Sequence, residues 1–173
     1  MLEMGAPYGL PAEASAPNPG ELTLEDLASY QPKERNPVCV SLFEHRVCGF
    51  PPPTSGGITV LQILKMLEIH GSERYGPNSE EAAHLFAEAS RVAFSDRGLY
   101  IADPDFVDVP TGGLLNESYL ADRAKTFGVD QPAQKKATPG TPPGAKTAWA
   151  PDASPELPCT SHLVVVAAQG NVA

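Results

Sequence analysis

Basic charge is scarce in this sequence. Twelve lysines and arginines face 21 aspartates and glutamates, for a formal net charge of −9. Phosphate backbones demand a basic surface, so nucleic acid is set aside as a partner. Acidity alone names no substrate, because it mostly confers solubility. No apolar run approaches the roughly 20 residues that span a bilayer, so no membrane span is expected. The opening Met1-Leu2-Glu3-Met4-Gly5 has no basic stretch and no apolar one, so it does not read as a signal peptide. Three cysteines are too few for a disulfide scaffold, and none has zinc-site spacing. Internal repeats are missing as well.

What is present is globular in character. A hydrophobic content of 42% against 19% charged fits a chain that buries a core, and 173 residues suffice for one domain. The 19 prolines cluster, which places the less regular chain at the start and near the end.

Residues 1–20 are rich in Pro, Ala and Gly and read as a leader or linker. Thr23-Leu24-Glu25-Asp26 has the form of a capping box and predicts a short helix through Tyr30. Residues 40–47 read as a hairpin about a Phe43-Glu44 turn. In that register Cys39 lies opposite Cys48, with Ser41 and Arg46 on the same face and Val40, Leu42, His45 and Val47 on the other. Opposed residues are close enough to bridge. The turn lacks the Asn-Gly signature that would fix the register, so free thiols and a disulfide both stay open.

Ile58, Leu61, Leu64 and Leu67 form a helical stripe over residues 58–69. Ser79, followed by Glu80 and Glu81, caps a second helix running to about Arg97, with Ala82, Leu85, Phe86, Ala89 and Ala93 on one face. Residues 100–110 read as a loop and residues 116–127 as another helix. From Gly128 onward Pro132, Pro139, Pro142, Pro143, Pro151, Pro155 and Pro158 interrupt a polar run that reads as an exposed, mobile linker. Residues 160–166 read as a strand. Helices flanked by strands favour a mixed α and β fold.

Thr160 carries the chemistry. A Thr hydroxyl is a weak nucleophile unless a base lies beside it, and the residue's own free α-amino group can serve. Cleavage before Thr160 would create that amine, whose pKa of about 8 suits proton transfer near neutrality. The bland alternative is that Thr160 simply starts a strand. Other candidates are weaker. Cys159 and His162 suggest a cysteine hydrolase, but the pair would need a sharp turn to meet. Asp103, Asp105 and Asp108 read as turn chemistry more readily than as a metal site. Thr54-Ser55-Gly56-Gly57 before a helix could cradle an anion, yet it lacks the Lys-Ser/Thr ending of a phosphate loop. His45, His70 and His84 are scattered and read as structural or exposed. Phe94-Ser95-Asp96-Arg97 reads as an ion pair closing a helix.

Four segments together resemble a known family. Pro51-Pro52-Pro53-Thr54-Ser55-Gly56-Gly57 is similar to the Pro-Pro-Pro-Ser-Ser-Gly-Gly motif of bacterial γ-glutamyltransferases. Leu22-Thr23-Leu24-Glu25-Asp26-Leu27-Ala28-Ser29-Tyr30 is similar to their Leu-Thr-x-Glu-Asp-Leu-x-x-Tyr segment. Phe94-Ser95-Asp96-Arg97 with Ala102-Asp103-Pro104-Asp105-Phe106-Val107 resembles their Phe-Ala-Asp-Arg and Gly-Asp-Pro-Asp-Phe-Val pair. Thr160-Ser161-His162-Leu163-Val164-Val165-Val166 resembles the start of their small subunit.

The resemblance implies an α+β chain, part of an αββα N-terminal-nucleophile hydrolase fold truncated at both ends. It makes residues 21–127 the C-terminal part of the large-subunit region, 128–159 the Pro-rich linker to the processing site, and 160–173 the start of the small-subunit region. By resemblance Cys159 supplies the scissile carbonyl and Thr160 is the self-cleavage and catalytic nucleophile. The implied activity moves a γ-glutamyl group from donors such as glutathione, through an acyl-Thr intermediate, to water or an amino acid. No cofactor or metal is implied. The implied partners are the small-molecule substrate and the remaining large- and small-subunit segments of the precursor, in a periplasmic or secreted location. The family often has Asp where this chain has Ala167. Residues that the family uses elsewhere to hold substrate and oxyanion have no counterpart here, so the isolated chain is expected to be inactive. A non-catalytic paralogue or interaction module, or a related acylase, stays open.

Overall fold

Helix α3 (Glu80–Tyr100) is the longest of the described elements. The structure, a computed structural model, describes residues 22–146, 150, 165 and 167–169. Its order is α1 (Leu24–Ser29), β1 (Val38–Leu42), β2 (His45–Gly49), α2 (Gly56–Ile69), a 3₁₀ turn (Ser72–Arg74), α3, α4 (Thr111–Leu114) and α5 (Glu117–Ala124). The chain divides after Arg35 into two units. In the first, α1 opens with the expected capping box: the Thr23 hydroxyl accepts from the Asp26 N–H while the Asp26 carboxylate accepts from the Thr23 N–H.

In the second unit the hairpin adopts the register read from sequence, with Cys39 opposite Cys48 and Leu42 opposite His45. A two-residue turn makes Leu42 and His45 a hydrogen-bonded pair, so alternation makes Cys39 and Cys48 a closer, non-hydrogen-bonded one. Their Cα atoms are 4.1 Å apart and the sulfurs are bonded. Both turn residues, Phe43 (φ 46°) and Glu44 (φ 65°), are left-handed, as the turn type requires but neither side chain prefers. Helix α2 supports the turn from below. Glu68 accepts the Phe43 N–H, and Lys65 donates to the Ser41 carbonyl.

Helix α2 starts at Gly56 rather than Ile58, because Gly57 must lie against the end of the hairpin. A Cβ there would sit 2.1 Å from the Phe50 carbonyl oxygen. The main core joins Ile63 and Met66 of α2 to Leu85, Ala89, Val92 and Ala93 of α3, with Ala124, Phe127 and Ala137. The alanines of α3 pack closely as read, but Phe86 is 57% exposed. Where the sequence predicted that aromatic, the inward face carries Glu88, Val92 and Asp96 instead. The expected helix over 116–127 is shorter at Glu117–Ala124, with Asn116 as its N-cap, and α4 precedes it unforeseen.

Residues 128–146 add anchoring that the sequence did not foretell. This stretch contains no helix or strand, as its prolines demand. Most of its residues are exposed, as read, but Ala137 and Pro142 are buried. Residues 134–146 form a strap laid along α3. The strand expected at 160–166 lies outside the described residues, apart from Val165.

Candidate functional site

Three helical side chains converge on the strap. Asp96 on α3, Tyr119 and Arg123 on α5 meet because Tyr119 and Arg123 stand one turn apart on the same face of their helix. The Asp96 carboxylate accepts four hydrogen bonds or charged contacts: from the Tyr119 hydroxyl at 2.7 Å, Arg123 Nε at 3.2 Å, Arg123 Nη2 at 3.0 Å and the Gly140 N–H at 2.9 Å. The guanidinium also donates to the Thr138 carbonyl at 2.9 Å, and the Tyr100 hydroxyl donates to the Gly140 carbonyl at 2.6 Å. Further back along α3, Glu88 accepts the Gln134 N–H at 3.1 Å. The strap's backbone thus finds in side chains the partners that a sheet would otherwise provide.

Its electrostatics suit holding rather than reacting. Burial is the largest influence on Asp96 and raises its carboxyl above the ordinary Asp range, against the pull of Arg123 and the donors around it. Burial, followed by the neighbouring Asp96 charge, also raises the phenols of Tyr119 and Tyr100. Both therefore stay protonated donors, and neither is poised as a nucleophile. With its lone pairs engaged, Asp96 is not a free base either.

The motif 94–97 does supply an ion pair, but not within itself. Asp96 reaches Arg123, 27 positions along, while Arg97 Nε donates to the Ser55 hydroxyl at 3.0 Å. That contact ties the motif 51–57 to α3 and makes Ser55 an acceptor for Arg97. His70 and His84 bind the carbonyls of Ala124 and Gly128, and His45 is exposed. The Asp103 carboxylate accepts the Asp105 N–H, a turn contact, and Asp108 pairs with Lys146 at 2.6 Å. Among the described residues no cluster of three His, Cys, Asp or Glu side chains could hold a metal ion. Cys159 and Thr160 lie outside the described residues.

Comparison with known proteins settles the family. The family model described as Gamma-glutamyltranspeptidase matches residues 10–173. This chain belongs to that family. The glutathione hydrolase proenzyme of Escherichia coli K12 is 40% identical over 162 residues, which is 92% of this chain and 26% of the relative. The acylase ACY 1 proenzyme of Pseudomonas sp. strain SE83 is 35% identical over 157 residues, covering 91% of this chain and 26% of that protein. The crystal structure of Helicobacter pylori γ-glutamyltranspeptidase superposes with a TM-score of 0.67 at 35% identity, over 75% of this chain and 37% of that one. The α+β arrangement is accordingly part of the N-terminal-nucleophile hydrolase fold of the γ-glutamyltranspeptidases. The chain spans about a quarter of the length of the curated relatives it matches. Among the described residues no helix is long and apolar enough to cross a membrane.

Proposed function

We propose that these residues belong to a self-processing γ-glutamyltransferase in which Thr160 is the nucleophile and the Cys159–Thr160 bond is the processing site. The observation that carries this reading is the match of the family model through residue 173, across a Thr-Ser-His junction where the family's small subunit begins. In processing, the Thr160 hydroxyl attacks the Cys159 carbonyl and the C–N bond breaks, leaving an ester and a free α-amine on Thr160. Water then splits the ester and frees a Cys159 carboxylate. The α-amine takes the hydroxyl proton as Thr160 attacks a γ-glutamyl amide such as that of glutathione, and the acyl group passes to water or an amino acid.

The rest of the precursor supplies the remaining substrate and oxyanion contacts, so the 173-residue chain by itself keeps its bond whole and turns over no substrate. An exported location agrees with the Cys39–Cys48 disulfide, since such bonds persist in oxidising compartments.

The test is N-terminal sequencing of the small chain from the full polypeptide encoded by the gene. Thr-Ser-His-Leu is the expected start; any other start, or cleavage in Thr160→Ala, overturns the assignment. A second reading has a specific observation behind it, the 35%-identical acylase. Comparing γ-glutamyl-p-nitroanilide with phenylacetyl-p-nitroanilide separates the two. Preference for the second amide shows an acylase, and turnover of neither shows a non-catalytic relative.

A further inference from the structure

We propose that the Cys39–Cys48 disulfide is a thiol-exchange site. A small thiolate attacks the Cys48 sulfur, and opening of the bond releases β2 and residues 50–55 while β1 stays seated on α2. The proposal stands apart from the processing reading above, because every group it uses lies in the hairpin, the segment after it, α2 and α3.

The first argument is access. Cys48 is exposed, whereas Cys39 is partly buried. Cys48 also lines a cleft of about 270 Å³ with Pro37, Gly49 and Phe50. None of these side chains is charged, and a cleft of that size takes a small organic thiol. Exchange depends on which sulfur can be reached, so Cys48 is attacked and Cys39 leaves. The thiolate bonds to Cys48 Sγ as the bond between the cysteines breaks, and Cys39 departs as a thiolate that takes a proton from water. A second thiol then attacks the adduct and releases Cys48 as a thiol. The two small thiols leave joined as a disulfide, so two are oxidised for each protein disulfide reduced.

The second argument is unequal anchoring of the two strands. In β1, Leu42 is 1% exposed and Val38 packs against the cluster of Ile58, Tyr100 and Leu114. The Ser41 carbonyl accepts from Lys65, and the Phe43 N–H donates to Glu68. Strand β2 buries none of its five residues, and among the described residues the sheet has only these two strands. At its end Gly49 lies against Gly57, where a Cβ on Gly49 would be 2.7 Å from the Gly57 Cα. That is backbone on backbone, with no side chain to interlock. Beyond it the chain is next held at Ser55, which accepts from Arg97. A cut disulfide therefore frees the outer strand and the segment up to Ser55, not the inner strand.

The third argument is the turn. Phe43 and Glu44 are both left-handed, at φ 46° and 65°, and neither is a glycine, so both hold a backbone shape that costs energy. A two-stranded hairpin is marginal without outside support. The disulfide supplies that support across the strands, and its loss lets the turn relax. Relaxation of the opened form in turn favours reduction over closure.

The test uses the full encoded polypeptide, with 2-mercaptoethanol as the thiol and peptide mapping to read each cysteine. In native buffer the bond should reduce within about tenfold of its rate in urea, whereas a bond reached only through global unfolding is slowed about a thousandfold or more. Slowing of that size overturns the proposal, as does reduction by a dithiol oxidoreductase alone. Direction is read on Cys39→Ser and Cys48→Ser, each treated with hydroxyethyl disulfide. The thiol of Cys48 should form its adduct about tenfold faster than that of Cys39, and equal rates or the reverse order overturn the assignment of the attacked sulfur. Should either variant fail to fold, hydrogen exchange of wild type with and without 2-mercaptoethanol decides. Exchange should quicken about tenfold over residues 45–55 and stay unchanged over 60–69 and 80–100. No change, or an equal rise in both helices, overturns the release of β2.

Discussion

Asp96 and Glu68 use one device in two settings. Each stands on a helix, pairs with a cation from helix or neighbouring turn, and accepts the N–H of a residue outside regular structure: Gly140 for Asp96, Phe43 for Glu68. The surroundings differ. Asp96 and Arg123 are 1% and 9% exposed, Glu68 and Lys65 25% and 15%. The carboxyls respond in opposite directions. Burial dominates at Asp96 and raises it, whereas the Lys65 hydrogen bond dominates at Glu68 and lowers it. The strap thus hangs on a pair that is costly to bury, and the hairpin on one that water still shares.

The comparison breaks most sharply under truncation. Asp96→Ala leaves the Arg123 guanidinium buried without its counter-charge, a loss of about 3–5 kcal/mol. Glu68→Ala should lose less than about 1 kcal/mol, as partly exposed pairs do. Urea unfolding of the two variants beside wild type measures both, and equal losses would show that burial does not separate them.

Much of this was legible in the sequence, and what escaped it did so for physical reasons. The hairpin register, the Thr23 capping box and the Ser79 cap follow from patterns spanning a few residues, and local rules govern them. The strap did not follow. Pro132, Pro139 and Pro142 tell that residues 128–146 form no helix or strand, but the same residues suit an exposed tether and an extended segment laid on a core. Only Ala137, Pro142 and Gly140 distinguish the two, through partners on α3, α4 and α5. Asp96 was singled out by motif and its ion pair foreseen, yet its partner stands 27 positions away, beyond any helical period. Phe86 misled because an aromatic on an alanine face promises burial, while the face is turned by two carboxylates with partners of their own. For Thr160 the sequence remains the guide, since it lies outside the described residues.

The hairpin has a covalent staple that the strap lacks, which supplies the next prediction. Cys39 and Cys48 are nine positions apart, and closing so short a loop contributes about 2–3 kcal/mol through the unfolded chain. The double variant Cys39→Ser/Cys48→Ser should lose that amount in urea unfolding, and reductant should bring wild type down to the same level while leaving the variant unmoved. Insensitivity of wild type to reductant would remove the staple from the comparison. The strap-borne effects of Asp96→Ala should be unchanged by reductant, since the two devices lie on different elements.

The smallest expected effect tests the opposed carboxyls directly, through stability against pH. Glu68 is lowered in the fold, so its contribution is present above its ordinary value and is lost as pH falls through the folded one. Asp96 is raised. Between the ordinary Asp value and its raised one, the folded state holds more of that proton than the unfolded state does, so stability rises as pH falls through the window. The two slopes have opposite signs. Neutral, isosteric variants remove each in turn. The stability gap between wild type and Glu68→Gln should therefore narrow on acidification from pH 7 towards pH 3, while the gap between wild type and Asp96→Asn should widen. Each change is on the order of 1 kcal/mol or less for Glu68, which water screens, so the measurement is a difference between parallel unfolding curves rather than two absolute values. Gaps that move in the same direction would mean that burial does not outweigh Arg123 at Asp96. The Asp96–Arg123 attraction would then exceed the cost of burying the carboxylate.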